Sequence, residues 1–396
     1  MKALNNNAHP LESLLQQHCP NGVEFKELGE VCETLPKGTL KTSQLTANGY
    51  PVINSGRDLY GYYSKFNNES NAFTIAARGE YAGFVNFMDS KFWAGGLCYP
   101  YRSNDENKLL TKFIYYHLKT NESNIMDSLV ARGSIPAINK KDIDKKLKIP
   151  IPPLEIQQKI VDILDAFTEL QAELQAELQA RRKQYEYYRN KLLSFEELQR
   201  RTDMLNGGGL KLVSLGELGK RNAGTKITAN QMQALHKENA PVRIFAGGST
   251  IADVDYCDLP KKDVIDKPSI ICKARGYIGF EYYDKPFSHK SEFWSYTIDK
   301  NANQKFVYYF LINQQEHFQK LAKANSVKIP QLKVSNTDNF QIPLPPLSVQ
   351  NDIVELLDKF DTLANDLTSG IPAEIEARKK QYEYYRERLL SFIAKD

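Results

Sequence analysis

Two stretches of the chain carry apolar residues at alternating intervals of about three and four. In the first, Ile156, Ile160, Ile163, Phe167, Leu170 and Leu174 lead on to Leu178, Tyr185, Tyr188, Leu192 and Phe195. In the second, Ile353, Leu356, Phe360, Leu363 and Leu367 lead on to Ile375, Tyr382, Tyr385, Leu389 and Phe392. This is the spacing of a coiled-coil seam and predicts a long helix in each place. Each run follows a Pro-Pro pair, Pro152-Pro153 and Pro345-Pro346. Proline fixes φ, disfavours helix in the residue before it and suits the first helical turn, so an extended segment should end and a helix begin there. The 41 residues from Glu155 to Phe195 would reach roughly 60 Å as one helix. So narrow a stripe needs a partner, and the simplest partner is the other copy, paired antiparallel within the chain.

The two stretches belong to an internal repeat. "IPIPPLEIQQKIVDILDAFTEL" from Ile149 aligns with "IPLPPLSVQNDIVELLDKFDTL" from Ile342 at an offset of 193 (342 minus 149), and the heptapeptide "KQYEYYR" occurs at Lys183 and again at Lys380. Weaker matches keep the same order upstream: "KELGEV" with "VSLGEL", "AARGEYAGF" with "KARGYIGF", "KFW" at Lys91 with "EFW" at Glu292, and "KFIYYHL" with "KFVYYFL". The middles of the helices differ. "ELQAELQAELQA" from Glu169 to Ala180 is rich in strong helix formers, whereas "SGIP" from Ser369 to Pro372 signals a break. The tetrapeptide run reads either as a solvated helix or as a ruler whose length matters. "RRTDMLNGGGLKL" holds Asn206 and Gly207 to Gly209 and is the linker candidate. The expected order is a first globular domain over 1–152, a first helix over 153–198, a linker over 199–209, a second domain over 210–345 and a second helix over 346–396.

Composition narrows the class. At 396 residues at least two cores are expected. Apolar residues are 41% and charged residues 25%, as in a soluble globular protein, with an aromatic surplus of 22 Tyr and 19 Phe. A net charge of +4 decides nothing about nucleic acid, because a basic face can be offset elsewhere. Cys19, Cys32, Cys98, Cys257 and Cys272 are scattered with no C-x-x-C pair, which argues for reduced thiols and against zinc or disulfides. There is no secretory pattern at the start and no 18-residue apolar window, so a cytoplasmic setting is expected. No Walker A, G-x-S-x-G, H-E-x-x-H or dinucleotide fingerprint occurs, and histidines such as His117 and His317 have no metal-like partner four residues on. Catalysis, metal and cofactor are therefore not expected on this chain.

On "LGEV" and "LGEL" at the domain starts, "IPIPPLEIQQKIVDILD" and "IPLPPLSVQNDIVELLD" at the junctions, and "RKQYEYYRNKLLSF" and "KKQYEYYRERLLSF" at the helix ends, the chain resembles the specificity subunit of type I restriction-modification systems. The resemblance covers essentially the whole chain. It implies an α+β fold with two globular mixed α/β target-recognition domains joined by two long antiparallel coiled-coil helices, a pseudo-twofold internal repeat. It further implies that each domain reads one half of a split DNA sequence and that helix length sets the gap. The implied partners are double-stranded DNA, two methyltransferase subunits and motor-nuclease restriction subunits, with S-adenosylmethionine on the methyltransferase. A DNA amino-methyltransferase would show Asn or Asp before Pro-Pro, whereas both pairs here lie in "IPPL" and "LPPL".

Base readout needs Arg, Lys, Asn, Gln, Ser or Thr in a groove, with further cations on phosphate. The candidates in the first domain are Ser55, Arg57, Tyr60, Arg78, Tyr81, Arg132 and Ser134; in the second they are Lys273, Arg275, Tyr277, Lys290 and Lys328. Arginine in the shared "ARG" is either a surface turn or a phosphate contact, since two domains that read different sequences should differ where they specify. Trp93 and Trp294 read as core. Tyr185, Tyr188, Tyr382 and Tyr385 read as seam, and Tyr187, Arg189, Tyr384 and Arg386 as residues that dock a partner. The alternative is a coiled-coil adaptor that joins two proteins without touching DNA.

Overall fold

In the computed structural model the described residues are 19–205, 209–248, 250–298, 302–325, 328–366 and 368–394. Residues 1–18 of the expected first domain, Asn206 to Gly208 of the linker and Leu367 of the seam lie outside them. The element order begins β1 (Glu24–Glu27), α1 (Leu28–Val31), β2 (Cys32–Thr34), β3 (Tyr50–Ile53), β4 (Gly61–Tyr63), β5 (Ala72–Ala76), β6 (Val85–Met88), β7 (Trp93–Ala94) and β8 (Cys98–Ser103). It continues through α2 (Thr111–Thr120), α3 (Glu122–Leu129), α4 (Lys140–Lys146), β9 (Lys148–Ile151), α5 (Leu154–Leu192) and α6 (Phe195–Met204). The second half brings β10 (Lys211–Ser214), α7 (Leu215–Leu218), β11 (Gly219–Ala223), α8 (Ala229–Leu235), β12 (Val242–Phe245), β13 (Ile251–Val254), β14 (Ser269–Lys273), β15 (Gly279–Tyr283), β16 (Phe287–His289) and β17 (Trp294–Ile298). It closes with α9 (Gln304–Asn313), α10 (Gln315–Asn325), α11 (Val334–Asp338), β18 (Gln341–Leu344), α12 (Leu347–Asn365) and α13 (Ile371–Leu389).

The chain divides into two compact units, one made of the residues up to Gln175 with those from Ile375 on, the other of Ala176–Glu374. In the first, β1 pairs antiparallel with β9, a four-stranded sheet runs β2-β8-β5-β6, and a smaller sheet runs β4-β3-β7 with β3 and β7 parallel. Phe73, Tyr101, Phe113 and Ile114 form one core with Ile156, Ile160 and Leu164 of α5 and with Leu389 and Leu390 at the end of α13 and just past it. The start of one long helix and the end of the other thus meet on the same domain, an antiparallel arrangement in which Phe167 stacks on Tyr385 at 5.5 Å.

The second unit repeats this plan. β10 pairs with β18, a four-stranded sheet runs β11-β17-β14-β15, a smaller one runs β13-β12-β16, and Phe360 of α12 stacks on Tyr188 of α5 at 5.3 Å. The sequence repeat survives because the same contacts recur. Lys112 Nζ and the Tyr116 hydroxyl both donate to Asp165, at 2.7 and 2.5 Å, as Lys305 and Tyr309 do to Asp358 at the same two distances. Fully buried Gln157 accepts from Leu110 N–H and donates to the carbonyls of Lys108 and Pro152; fully buried Gln350 accepts from Asn303 N–H and donates to Pro345. A glutamine side chain offers both donors and an acceptor, so one residue type satisfies the backbone where each Pro-Pro junction cannot.

Two expectations need correction, and a third feature is as expected. The linker does not start at residue 199, because Ser194 caps α6 through Glu197 N–H, and Leu198 and Thr202 are buried; the described chain leaves helix only at Leu205. The break signalled by "SGIP" is present: α12 ends at Asn365, and Gly370, where a Cβ would come 2.4 Å from the Thr362 carbonyl, precedes α13. The match of "KFW" with "EFW" is out of register. Trp93 lies on β7, whereas Trp294 lies on β17 opposite Cys272, and it is Tyr101 and Tyr296 that correspond, donating to Asp144 at 2.8 Å and Asp338 at 2.5 Å.

Candidate nucleic-acid interface

Each unit holds its "ARG" turn in the same way. Gly79 and Gly276 adopt positive φ of 97° and 81°, a conformation that glycine tolerates without strain. Their N–H groups donate to Pro136 and Pro330, at 2.8 and 2.9 Å, while Arg78 bridges to Ala137 and Arg275 to Gln331. The turn is thereby fixed against an Ile-Pro loop, and the residues just before that loop's isoleucine, Ser134 and Lys328, occupy equivalent places. Both are exposed, as are the neighbouring Ile135 and Ile329. The structure so brings Arg78 to Ser134 in one unit and Arg275 to Lys328 in the other. Arg132 lies on the same first-unit loop but is ion-paired with Asp127 at 2.6 Å.

The β3–β4 turn supplies Ser55, Arg57 and Tyr60, and Tyr81 follows the Arg-Gly turn between β5 and β6. Ser55 is half-buried, Arg57 is exposed with its guanidinium 5.6 and 5.9 Å from the Phe84 and Tyr81 ring centres, and the Tyr60 hydroxyl shares a 3.0 Å hydrogen bond with Thr42. Beneath them lies a support that sequence reasoning missed. Lys119 Nζ sits 3.6 Å from the centre of the Phe84 ring and donates to Glu122 at 2.7 Å and to the Val85 carbonyl at 3.0 Å, while Glu122 accepts from Val85 N–H. Burial pulls the Lys119 amine below its ordinary pKa, opposed by Glu122. Phe84 lay in the shared "GF" of the repeat and was open to notice; Lys119 and Glu122 carried no signal.

In the second unit Lys273 pairs with Glu281 at 2.7 Å, while Glu292 lies 3.3 Å from Lys290 and 4.0 Å from Arg275. Tyr277 is 77% exposed and accepts from Gln315 at 2.8 Å. The tip between β12 and β13 matches the Arg57 turn but carries Gly247 and Gly248 in place of Ser55 and Gly56. The turns agree and the tips differ, as expected if shared parts hold phosphate and divergent parts read bases.

On the helices, Tyr187 and Tyr384 are exposed, at 60% and 53%, each flanked by a cation four residues on, Lys191 and Arg388. Arg189 and Arg386, from which docking is also expected, are half-buried. Arg189 stacks on Tyr185 and donates to Asn313 at 3.1 Å, and Arg386 stacks on Tyr382 with its Nε buried. A guanidinium stacked on a ring one turn away gains cation–π energy.

The model of the type I restriction modification DNA specificity domain matches residues 20–181 and again 208–377. The specificity subunit of an Escherichia coli type I restriction enzyme is 31% identical over 398 aligned residues, spanning 93% of this chain and 94% of its own. A Haemophilus influenzae chain named as such a subunit is 31% identical over 418, spanning 98% of this chain and 100% of its own. The crystal structure of a type I restriction-modification S subunit from M. genitalium superposes with a TM-score of 0.67 at 21% identity, covering 99% of both chains. Among the described residues no helix is long and apolar enough to cross a membrane. With the family model matched twice and near full-length relatives at this identity, the chain belongs to the type I restriction-modification DNA specificity subunits, the non-catalytic members of their complexes.

Proposed function

We propose that each globular domain reads one half of a split site in double-stranded DNA and that the paired helices fix the gap between the halves. The observation that carries this reading is the recurrence of one Arg-Gly turn, locked on an Ile-Pro loop in both units, beside tips of different sequence. Arg78 and Arg275 hold phosphate; Arg57, stacked on two rings, reads bases in the first half-site. Tyr187 and Tyr384 repeat one exposed surface, which suits two identical methyltransferase subunits. Those subunits carry S-adenosylmethionine, motor-nuclease subunits join for cleavage, and the assembly works in the cytoplasm.

Exchanging residues from Met1 to about Ile151 for those of a relative tests this assignment. The modified motif should change in one half and keep the other half and its gap. A change in both halves would sink the pairing of one domain with one half-site.

A further inference from the structure

We infer that the edge of the four-stranded sheet in the second unit is a track for the phosphate backbone of duplex DNA flanking the half-site, an inference that rests on the DNA reading proposed above. Among the described residues β11 is an edge strand, paired only with β17, and beside it lies a groove of about 780 Å³ between Lys220–Lys226 and the loop 260–267. Lys220, Arg221, Lys226, Lys262 and Lys267 line it against two carboxylates, Asp263 and Asp266. Arg221 is paired with Asp338 at 3.4 Å; among the described residues the four lysines have no ion pair. Four solvated ammonium groups along one channel repel each other and favour a polyanion.

The first unit shows why the groove exists here. Lys220 and Arg221 stand opposite Thr297 and Tyr296, as Glu33 and Thr34 stand opposite Arg102 and Tyr101. Thr297 therefore takes the place of Arg102. In the first unit the Arg102 guanidinium donates to the carbonyls of Asn71, Ser70 and Glu69, at 3.1, 2.8 and 3.3 Å, and stitches the sheet to the loop before β5. Among the described residues the Thr297 hydroxyl reaches only Ser269 and Asn222, at 2.7 and 2.8 Å, so the space that Arg102 fills stays open. The rim changes charge as well. Lys220 replaces Glu33, and because Ile265 bridges Phe287 as Asn68 bridges Phe92, Lys267 replaces Ser70.

The occupant is DNA rather than an acidic protein segment because the groove runs into the candidate reading face. Thr225, in its wall, bridges Lys290, which shares Glu292 with Arg275. A backbone held at Arg275 and Lys290 has a cationic path onward along β11.

The test uses the full chain assembled with its methyltransferase subunits and two duplexes carrying the mapped site, one with long flanks and one trimmed at the edge of the second half-site. Lys220→Ala/Lys262→Ala/Lys267→Ala should weaken binding to the long duplex about tenfold or more. It should also flatten the slope of log affinity against log salt by roughly two to three, with the modified sequence unchanged. Thr297→Arg, which refills the groove, should weaken the long duplex and spare the trimmed one. Equal affinities and slopes for variant and parent would overturn the track, as would intact DNA binding with loss of a partner subunit, which would assign the groove to protein. Were the parent itself to show no preference for a split site, the reading of function would fail first, and the two failures are distinguishable.

Discussion

Deleting one Glu-Leu-Gln-Ala unit, Glu173 to Ala176, should cut modification of the original site by more than a hundredfold and move it to the same two half-sites at a shorter gap. Within α5 Leu174 and Leu178 are buried while Glu173, Gln175, Ala176 and Glu177 are exposed, so removing one unit leaves the apolar and polar sides continuous. The helix shortens by about 6 Å and turns by roughly 40°. Against a rise of about 3.4 Å per base pair that is a displacement of one to two pairs. A second domain so displaced meets wrong bases, each costing about 1–3 kcal/mol, and three of them reach at least ~3 kcal/mol, or more than a hundredfold. Mapping methylated sites for parent and deletion reads both changes at once. An unchanged gap would show that the helix is not the ruler.

Acid should weaken each unit through one buried histidine. Among the described residues the His117 ring meets only the Lys148 carbonyl, at 3.3 Å, and its buried Nδ1 has no partner; His289 is fully buried beside Ser295 and the Lys290 carbonyl. Burial lowers both from about 6.5 to about 4. A depressed histidine keeps its native state neutral, so its contribution is whole above pH 6.5 and lost as pH falls through 4, a swing on the order of 3 kcal/mol apiece. The repeat supplies a control, because Phe310 of the second unit stands where His117 does (117 plus 193) and is buried in its core. His117→Phe should remove the first unit's share of that loss in urea unfolding measured between pH 7 and 4. An identical pH dependence in the variant would contradict the assignment.

The junctions were legible in the sequence because the same atoms are needed twice. Asp165 and Asp358 each receive a lysine and a tyrosine from the preceding domain, and Gln157 and Gln350 each satisfy a proline-broken backbone, so neither copy has drifted. Loops obey no such constraint. A three-residue aromatic match put Trp93 with Trp294, although strand pairing sets Trp294 opposite Cys272 in the main sheet. That Arg189 and Arg386 stack on Tyr185 and Tyr382 one turn away was not legible in the motif, which fixes residue types but not the contacts each makes. The exchange of Arg102 for Thr297, which opens the basic groove, could be seen only once register showed which residues correspond.

Co-expressing the chain with its methyltransferase subunit in a methylation-free host, and mapping modified adenines by single-molecule sequencing, would show whether two domains on one chain read two halves of one site. The expected result is a two-part motif with a single fixed gap. A contiguous motif, or no modification although the subunits co-purify folded, would contradict it.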